Sequence, residues 1–160
     1  TVYGLLMFTM SLAYIVGTFW GRWMLRRTSM HRTVGVAGLL SLSGGVLLTV
    51  LAHAGSGQAW YGAWAVMLPI YLFMFGHGVH QPCGQSAAVA PFPLKAGTAS
   101  ALNGFLMMLG AFFMGGWLGR NMDVPLLALA HGMLLWSAVI ATVAWTAVQR
   151  HGRPVVLKTA

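Results

Sequence analysis

Acidic side chains are almost absent from this sequence of 160 residues, in which Asp123 stands alone against nine lysines and arginines. Charged residues make up 6% of the chain and hydrophobic residues 58%, whereas a soluble domain has about 25% and about 45–50%. A chain of this composition cannot cover itself with polar surface. The composition therefore excludes a soluble globular domain and predicts an integral membrane protein with the lipid bilayer as a partner.

The excess of basic residues gives a net charge of +8, a balance that is also typical of proteins that bind nucleic acid. The basic residues, however, occupy short gaps between apolar runs. This placement is typical of loops between membrane spans, so we expect no nucleic acid as a partner.

Patterns that would indicate an enzyme or a cofactor are lacking as well. The sequence has no P-loop, GxSxG, HExxH or CxxC pattern, and its lone Cys83 cannot form an internal disulfide. His77-x-x-His80-x-x-Cys83 has residue types that bind zinc or copper, but no carboxylate or second cluster accompanies it. We therefore predict no enzyme, no cofactor and no metal site, and keep a membrane-embedded metal or haem protein as an alternative.

Five apolar segments are long enough to cross a bilayer, which takes about 20 residues. We place them at about 1–21, 33–52, 61–89, 97–118 and 124–148, with a basic loop at 22–32 and a tail at 149–160. The predicted fold class is an all-α membrane protein. Lysine and arginine number four, one and three after the odd spans but zero and one after the even spans. The positive-inside rule therefore places the odd loops and the C-terminus in the cytoplasm and the N-terminal end outside.

Polar residues gather in the third predicted span, where two histidines, two glutamines and Cys83 lie close together around Pro82. In a helix the ring of Pro82 removes one backbone hydrogen bond and frees the carbonyl of Gly78. In lipid such a defect is tolerated only against protein or a watery cavity, so the segment should face the inside of a bundle. Two interpretations stay open: part of a substrate path, or a kinked packing helix whose polar groups bond to its neighbours.

Small residues at every fourth position predict two faces for close helix packing. The first span carries Gly17 and Gly21, and the fourth carries Ala111, Gly115 and Gly119. The eleven methionines fit a role as flexible apolar filler.

The stretch from Ala96 to Leu102, AGTASAL, is followed by Gly104 and preceded by APFP. It resembles the turn between helices ten and eleven of Bcr/CflA-type drug-resistance transporters of the major facilitator superfamily. The segment from Gly21 to Arg27 is similar to that superfamily's loop between helices eight and nine, without its acidic residue. The resemblance covers essentially the whole chain, as helices eight to twelve, and rests on these residues: Arg22, Arg26, Arg27, Gly97, Thr98, Ser100 and Gly104.

The resemblance implies an intact protein of twelve helices in two halves that rock around a central substrate cavity. It implies a proton-driven antiporter in the bacterial inner membrane that exports amphipathic, drug-like molecules. The missing N-terminal half would be a partner, and the coupling carboxylate would lie there unless a histidine replaces it. Thr1 in place of an initiator Met fits a piece of a longer protein. The cavity candidates are Tyr71, Phe75, His77, His80, Gln81 and Asn103.

Other functions fit the same residues. An importer or a metabolite exporter would share the fold, and a membrane subunit without transport activity would share the composition. The sequence does not separate these alternatives.

Overall fold

A computed structural model describes residues 2–55, 62–121 and 123–151. Within those residues the chain is helical and has no strand. Five helices are long and apolar enough to cross a membrane, and this confirms the predicted fold class. The helices are α1 (Val2–Arg27), α2 (Met30–Gly55), α3 (Ala63–Val89), α4 (Ala96–Arg120), α5 (Pro125–Trp145) and the short α6 (Ala147–His151), with a 3₁₀ turn at Pro93–Lys95.

Helices α1, α2 and α4 extend beyond the predicted spans, α3 and α5 lie within theirs, and most of the basic loop predicted at 22–32 is helical. Residues 22–27 contain no glycine or proline, so α1 continues through them to Arg27. Only Thr28 and Ser29 separate α1 from α2. The hydroxyl of Ser29 accepts the backbone N–H of Arg32 at 3.4 Å, a contact that caps the start of α2. Residues 149–151 of the predicted tail belong to α6, while 1, 56–61 and 152–160 lie outside the described residues.

Helix α2 lies at the centre of the bundle and packs against α3 on one side and α5 on the other, while α1 packs against α3. Buried glycines make these close approaches possible, because a Cβ at Gly44 would lie 2.7 Å from the carbonyl oxygen of Pro69. Two hydrogen bonds fix α2 to α5. Trp145 Nε1 donates to the Gly35 carbonyl at 3.0 Å, and the Thr49 hydroxyl donates to the Ala130 carbonyl at 3.3 Å.

These contacts also fix the relative directions of the helices. Helices α1 and α3 run parallel, since Thr9 contacts Tyr71 and Thr18 contacts Gly78. Helices α2 and α5 run antiparallel, with an early residue of α2 bonded to the end of α5. Successive helices therefore alternate in direction, and Arg26, Arg27, Lys95 and Arg150 lie at one end of the bundle. This arrangement agrees with the predicted orientation, which stays a prediction.

Helix α4 has few contacts with the other helices, and none of its residues is buried among the described residues. The predicted ridge of Ala111, Gly115 and Gly119 has no partner helix among the described residues, and its role in packing stays a prediction. A Cβ at Gly115 or Gly119 would meet no described atom within 4 Å. The physical reason is position, because α4 touches α3 and α5 only lightly and leaves this face open.

Candidate substrate-facing site

The contact between α1 and α3 is the polar centre of the bundle, and glycines bring the two backbones together there. A Cβ at Gly17 would overlap the carbonyl of Phe75, and a Cβ at Gly78 would overlap the carbonyl of Tyr14. At Gly21 a Cβ would lie 3.0 Å from the side chain of Val79. The predicted packing pair Gly17 and Gly21 therefore lies at this contact, where small residues let polar groups meet across helices.

Pro82 leaves the Gly78 carbonyl without its usual donor in the helix, and a residue of α1 supplies a replacement. The hydroxyl of Thr18 lies 3.0 Å from the Gly78 oxygen and 3.1 Å from the oxygen of Tyr14 in its own helix. In a regular helix the Tyr14 carbonyl already accepts a hydrogen bond from the backbone N–H of Thr18. The Gly78 carbonyl has no such donor, so it is the acceptor that needs the Thr18 hydroxyl. The freed carbonyl beside the histidines is thus satisfied across the helix contact.

One turn further along α3, Gln81 is held by a second residue of α1. The hydroxyl of Tyr14 donates to Gln81 Oε1 at 2.6 Å. The ring of His77 lies 5.9 Å from the Tyr14 ring and stacks on Phe73, with ring centroids 6.2 Å apart and planes 7° apart. We refer to Tyr14, Phe73, His77 and Gln81 as the α1–α3 polar cluster. It combines an amide, an imidazole, a phenol and an aromatic face.

Two further candidates also face α1. The hydroxyl of Tyr71 lies 2.7 Å from that of Thr9, and the Phe75 ring lies 5.3 Å from the ring of Trp20. Tyr71, Phe75, His77 and Gln81 therefore share one side of α3. Sequence reasoning missed Tyr14 and Thr18, although their i, i+4 spacing places them on the face of α1 that also carries Gly17 and Gly21.

His80 lies apart from this group. With Cys83 it lines a cavity of about 300 Å³ between α2, α3 and α5, whereas His77 contacts α1. Its Nε2 atom is buried and has no hydrogen-bond partner among the described residues. The His77-x-x-His80-x-x-Cys83 segment is thus divided between two sides of α3. In residues 2–55, 62–121 and 123–151 no three histidine, cysteine, aspartate or glutamate side chains come together as metal ligands.

Asn103 joins helices away from the polar cluster. Its amide donates to Gln85 Oε1 at 2.7 Å, and the Gln85 amide lies 3.2 Å from the sulfur of Met107. These contacts tie the C-terminal half of α3 to α4. Asn103 therefore has a bonding partner in a neighbouring helix and does not meet His77 or Gln81.

The residues that carry the family resemblance lie near the bundle end where α1 and α3 finish. Arg22 borders a cavity of about 180 Å³ next to Thr18 and Pro82, and Arg27 lies 4.6 Å from the centre of the Trp23 ring. Arg26 is exposed in the last turn of α1. The others lie in the first three turns of α4: Gly97, Thr98, Ser100 and Gly104.

The sequence matches a curated protein, the "Multidrug resistance protein D" of Escherichia coli (strain K12), with 33% identity over 122 residues. The chain is related to a multidrug resistance protein. The match takes in 69% of this chain but only 28% of that protein's length. No protein-family profile and no solved structure matches the chain. The chain therefore resembles a part of that protein, and the residues that the structure describes include five helices of membrane-spanning length.

Proposed function

We propose that the chain is part of a drug exporter whose substrate path runs along the contact between α1 and α3. In this proposal it forms helices eight to twelve of a Bcr/CflA-type antiporter in the bacterial inner membrane. Its N-terminal end is outside and its C-terminus cytoplasmic. The relationship to a multidrug resistance protein supports the class of activity. The α1–α3 polar cluster supports the location, because polar groups inside membrane helices are enriched on substrate paths.

The observation that carries this location is the hydrogen bond from the Tyr14 hydroxyl to Gln81. Tyr14 itself borders an apolar cavity of about 510 Å³, whose other walls include Met7, Met10 and Met74. Ligand sites for small molecules combine mostly apolar walls with a few polar groups that fix orientation. Thioether side chains adapt to ligands of different shape. The cavity beside Tyr14 therefore suits amphipathic molecules of varied structure.

Transport by this mechanism needs groups beyond the described helices. Alternating access requires a second half that rocks against this one, and we propose that the intact protein supplies it. The single acid of the chain, Asp123, is exposed in the turn before α5. Proton coupling would therefore use a carboxylate elsewhere in the protein, or a histidine such as His77.

The test replaces one amide of α3 at a time in the transporter expressed in cells. Gln81→Leu removes the partner of Tyr14 and should change which drugs are exported while the protein stays near its normal abundance. Gln85→Leu is the matched control, because the same chemical change removes a contact between α3 and α4. It should affect all drugs equally. The measurement is resistance to a panel of drugs, normalised to the amount of transporter in the membrane.

Three further variants complete this test: His77→Leu, His80→Leu and Tyr14→Phe. His77→Leu and Tyr14→Phe should alter the drug profile, and His80→Leu should not, because His80 faces α2 and α5. A fall in abundance for all variants, with an unchanged drug profile, would show that the α1–α3 polar cluster has a structural role only. If the transporter confers resistance to none of the drugs and its expression changes nutrient uptake, an importer of the same fold is favoured.

A further inference from the structure

Two histidines from different helices meet near the end of the bundle where α2 finishes and α5 begins. The rings of His53 and His131 have centroids 5.3 Å apart and planes 47° apart, and both side chains are exposed. His53 lies in the last turn of α2, and His131 lies about 9 Å along α5 from Pro125 at about 1.5 Å per residue. We call them the α2–α5 histidine pair. The proposed substrate path between α1 and α3 does not use this pair.

The backbones that carry the two histidines are fixed relative to each other. The hydroxyl of Thr49, one turn before His53, donates to the carbonyl of Ala130, the residue before His131, at 3.3 Å. Ala52 and Ala130, which immediately precede the two histidines, are buried in one apolar cluster. Ligands that are already held in place lose little freedom when they bind, so the histidine pair is pre-organised.

One ring nitrogen of His53 has an assigned role. Its Nδ1 atom lies 2.8 Å from the carbonyl oxygen of Thr49. Because a carbonyl oxygen only accepts, Nδ1 carries the hydrogen and donates it, and Nε2 of the neutral ring keeps a free lone pair. Histidines that bind metals almost always donate their other ring N–H to a backbone carbonyl, a carboxylate or water, which orients the ring and makes the ligand nitrogen more basic. His53 therefore has the hydrogen bond that is typical of a metal ligand.

The separation of the two rings matches that of two ligands on a tetrahedral ion. Zn²⁺ lies about 2.0–2.1 Å from a histidine nitrogen, and therefore about 3.2 Å from the centre of the ring. Two such rings at the tetrahedral angle have centres about 5.2 Å apart, whereas adjacent and opposite ligands of a square-planar ion give about 4.5 Å and about 6.4 Å. The observed separation of 5.3 Å favours Zn²⁺ over a square-planar Cu²⁺ ion.

We infer that His53 and His131 bind one Zn²⁺ ion between α2 and α5, with water completing its coordination. No third histidine, cysteine, aspartate or glutamate joins the pair among the described residues, so the site is weaker than a structural zinc site with four protein ligands. The inference does not depend on the proposed function. It departs from the prediction of no metal site, which considered the segment from His77 to Cys83 and not histidines far apart in the chain.

Zinc binding is measured with the whole transporter, produced from its natural gene and purified in detergent without a histidine tag. Zn²⁺ is titrated by calorimetry into the unchanged protein, His53→Ala, His131→Ala and the control His31→Ala. His31 is the second residue of α2 and lies at the opposite end of that helix from His53. Zinc bound elsewhere in the transporter is common to all four proteins. Glutamine replaces histidine in a second pair of variants, in case an alanine variant is poorly produced.

We expect one site whose affinity for Zn²⁺ falls at least about tenfold in His53→Ala and in His131→Ala and is unchanged in His31→Ala. Loss of a group that only orients a metal ligand already costs about 10–100-fold in affinity, so loss of a ligand should cost no less. X-ray absorption of the zinc-loaded protein should show two histidine nitrogens at about 2.0–2.1 Å. The thermal unfolding midpoint should rise with the concentration of Zn²⁺, because the ion binds the folded state, and this rise should be lost in both pair variants.

Four results would overturn the inference. Absence of zinc binding would show that the two rings only pack, since aromatic rings also pair at about 4.5–7 Å without an ion. Unchanged affinity in both pair variants would place the zinc elsewhere in the transporter. A loss in only one of them would show that the two histidines do not share an ion. An equal loss in His31→Ala would show binding to histidines in general.

Discussion

Replacing Thr18 with valine tests whether a residue of α1 compensates for the proline in α3. Valine has nearly the shape of threonine and lacks the hydroxyl that lies 3.0 Å from the Gly78 carbonyl. Because Pro82 has no N–H, that carbonyl would lose its donor among the described residues. A hydrogen bond contributes about 0.5–1.5 kcal/mol net, and bonds between membrane helices average about 0.6 kcal/mol. We expect Thr18→Val to lower the free energy of unfolding by about 1 kcal/mol.

The contribution of Thr18 should depend on residue 82. In a Pro82→Ala background, the alanine N–H can donate to Gly78 in the usual helical pattern. Thr18→Val should then cost almost nothing, which gives a coupling energy of about 1 kcal/mol between the two positions. Pro82 is exposed, so its replacement should disturb little packing. Thr18→Ser is the control, since serine keeps the hydroxyl.

The assay is unfolding of the purified 160-residue chain in mixed micelles with increasing dodecyl sulfate, followed by circular dichroism. The four proteins of the cycle and the serine control are measured under one condition. An equal cost of Thr18→Val with proline or alanine at position 82 would refute the reasoning. The hydroxyl would then serve its own helix through Tyr14 and not the freed carbonyl.

Two other predictions concern packing and orientation. In the same unfolding assay Gly17→Ala should lower stability by about 1–3 kcal/mol, because its Cβ would overlap the Phe75 carbonyl. Gly115→Ala should be neutral or stabilising by up to about 1 kcal/mol, since nothing described lies near it; equal losses for both would contradict the α1–α3 contact. Cysteines introduced at Gly57 and Lys95 should react with an impermeant reagent from outside and from the cytoplasm, respectively. Labelling of position 57 only from the cytoplasm would reverse the orientation.

Much of the fold could be predicted because the composition of a segment indicates whether it can span a membrane. A span needs a long apolar run, and the interruptions by charge, proline and glycine separate five of them. The C-terminal end of α1 was harder to predict. Residues 22–27 are polar enough to look like a loop, yet nothing in them breaks a helix, so α1 continues to Arg27.

The sequence could predict groups of the candidate site that depend on one helix, but not the contacts between helices, and Pro82 illustrates the difference. The chemistry of proline alone predicts a free carbonyl at Gly78, because the missing donor lies within the same helix. The partner, Thr18, depends on the register between α1 and α3, which sequence spacing within one helix does not contain. His77 and His80 show the same limit. Their spacing of three residues predicts that they lie close together on α3, but His77 contacts α1 whereas His80 lies in a cavity that α2 and α5 border.

The two sides of α3 differ in how fully their groups are paired, and this difference favours separate roles. On the α1 side the carbonyl of Gly78 and the amide oxygen of Gln81 both accept hydrogen bonds from hydroxyls. A ligand that replaces the Tyr14 hydroxyl at Gln81 exchanges one hydrogen bond for another, which keeps the cost of binding low. The cavity of about 300 Å³ between α2, α3 and α5 offers an entering molecule almost only apolar contact, which would not fix the orientation of a ligand. We therefore expect polar substitutions beside α1 to change what is transported, and bulky substitutions in that cavity to change how much folded protein is made.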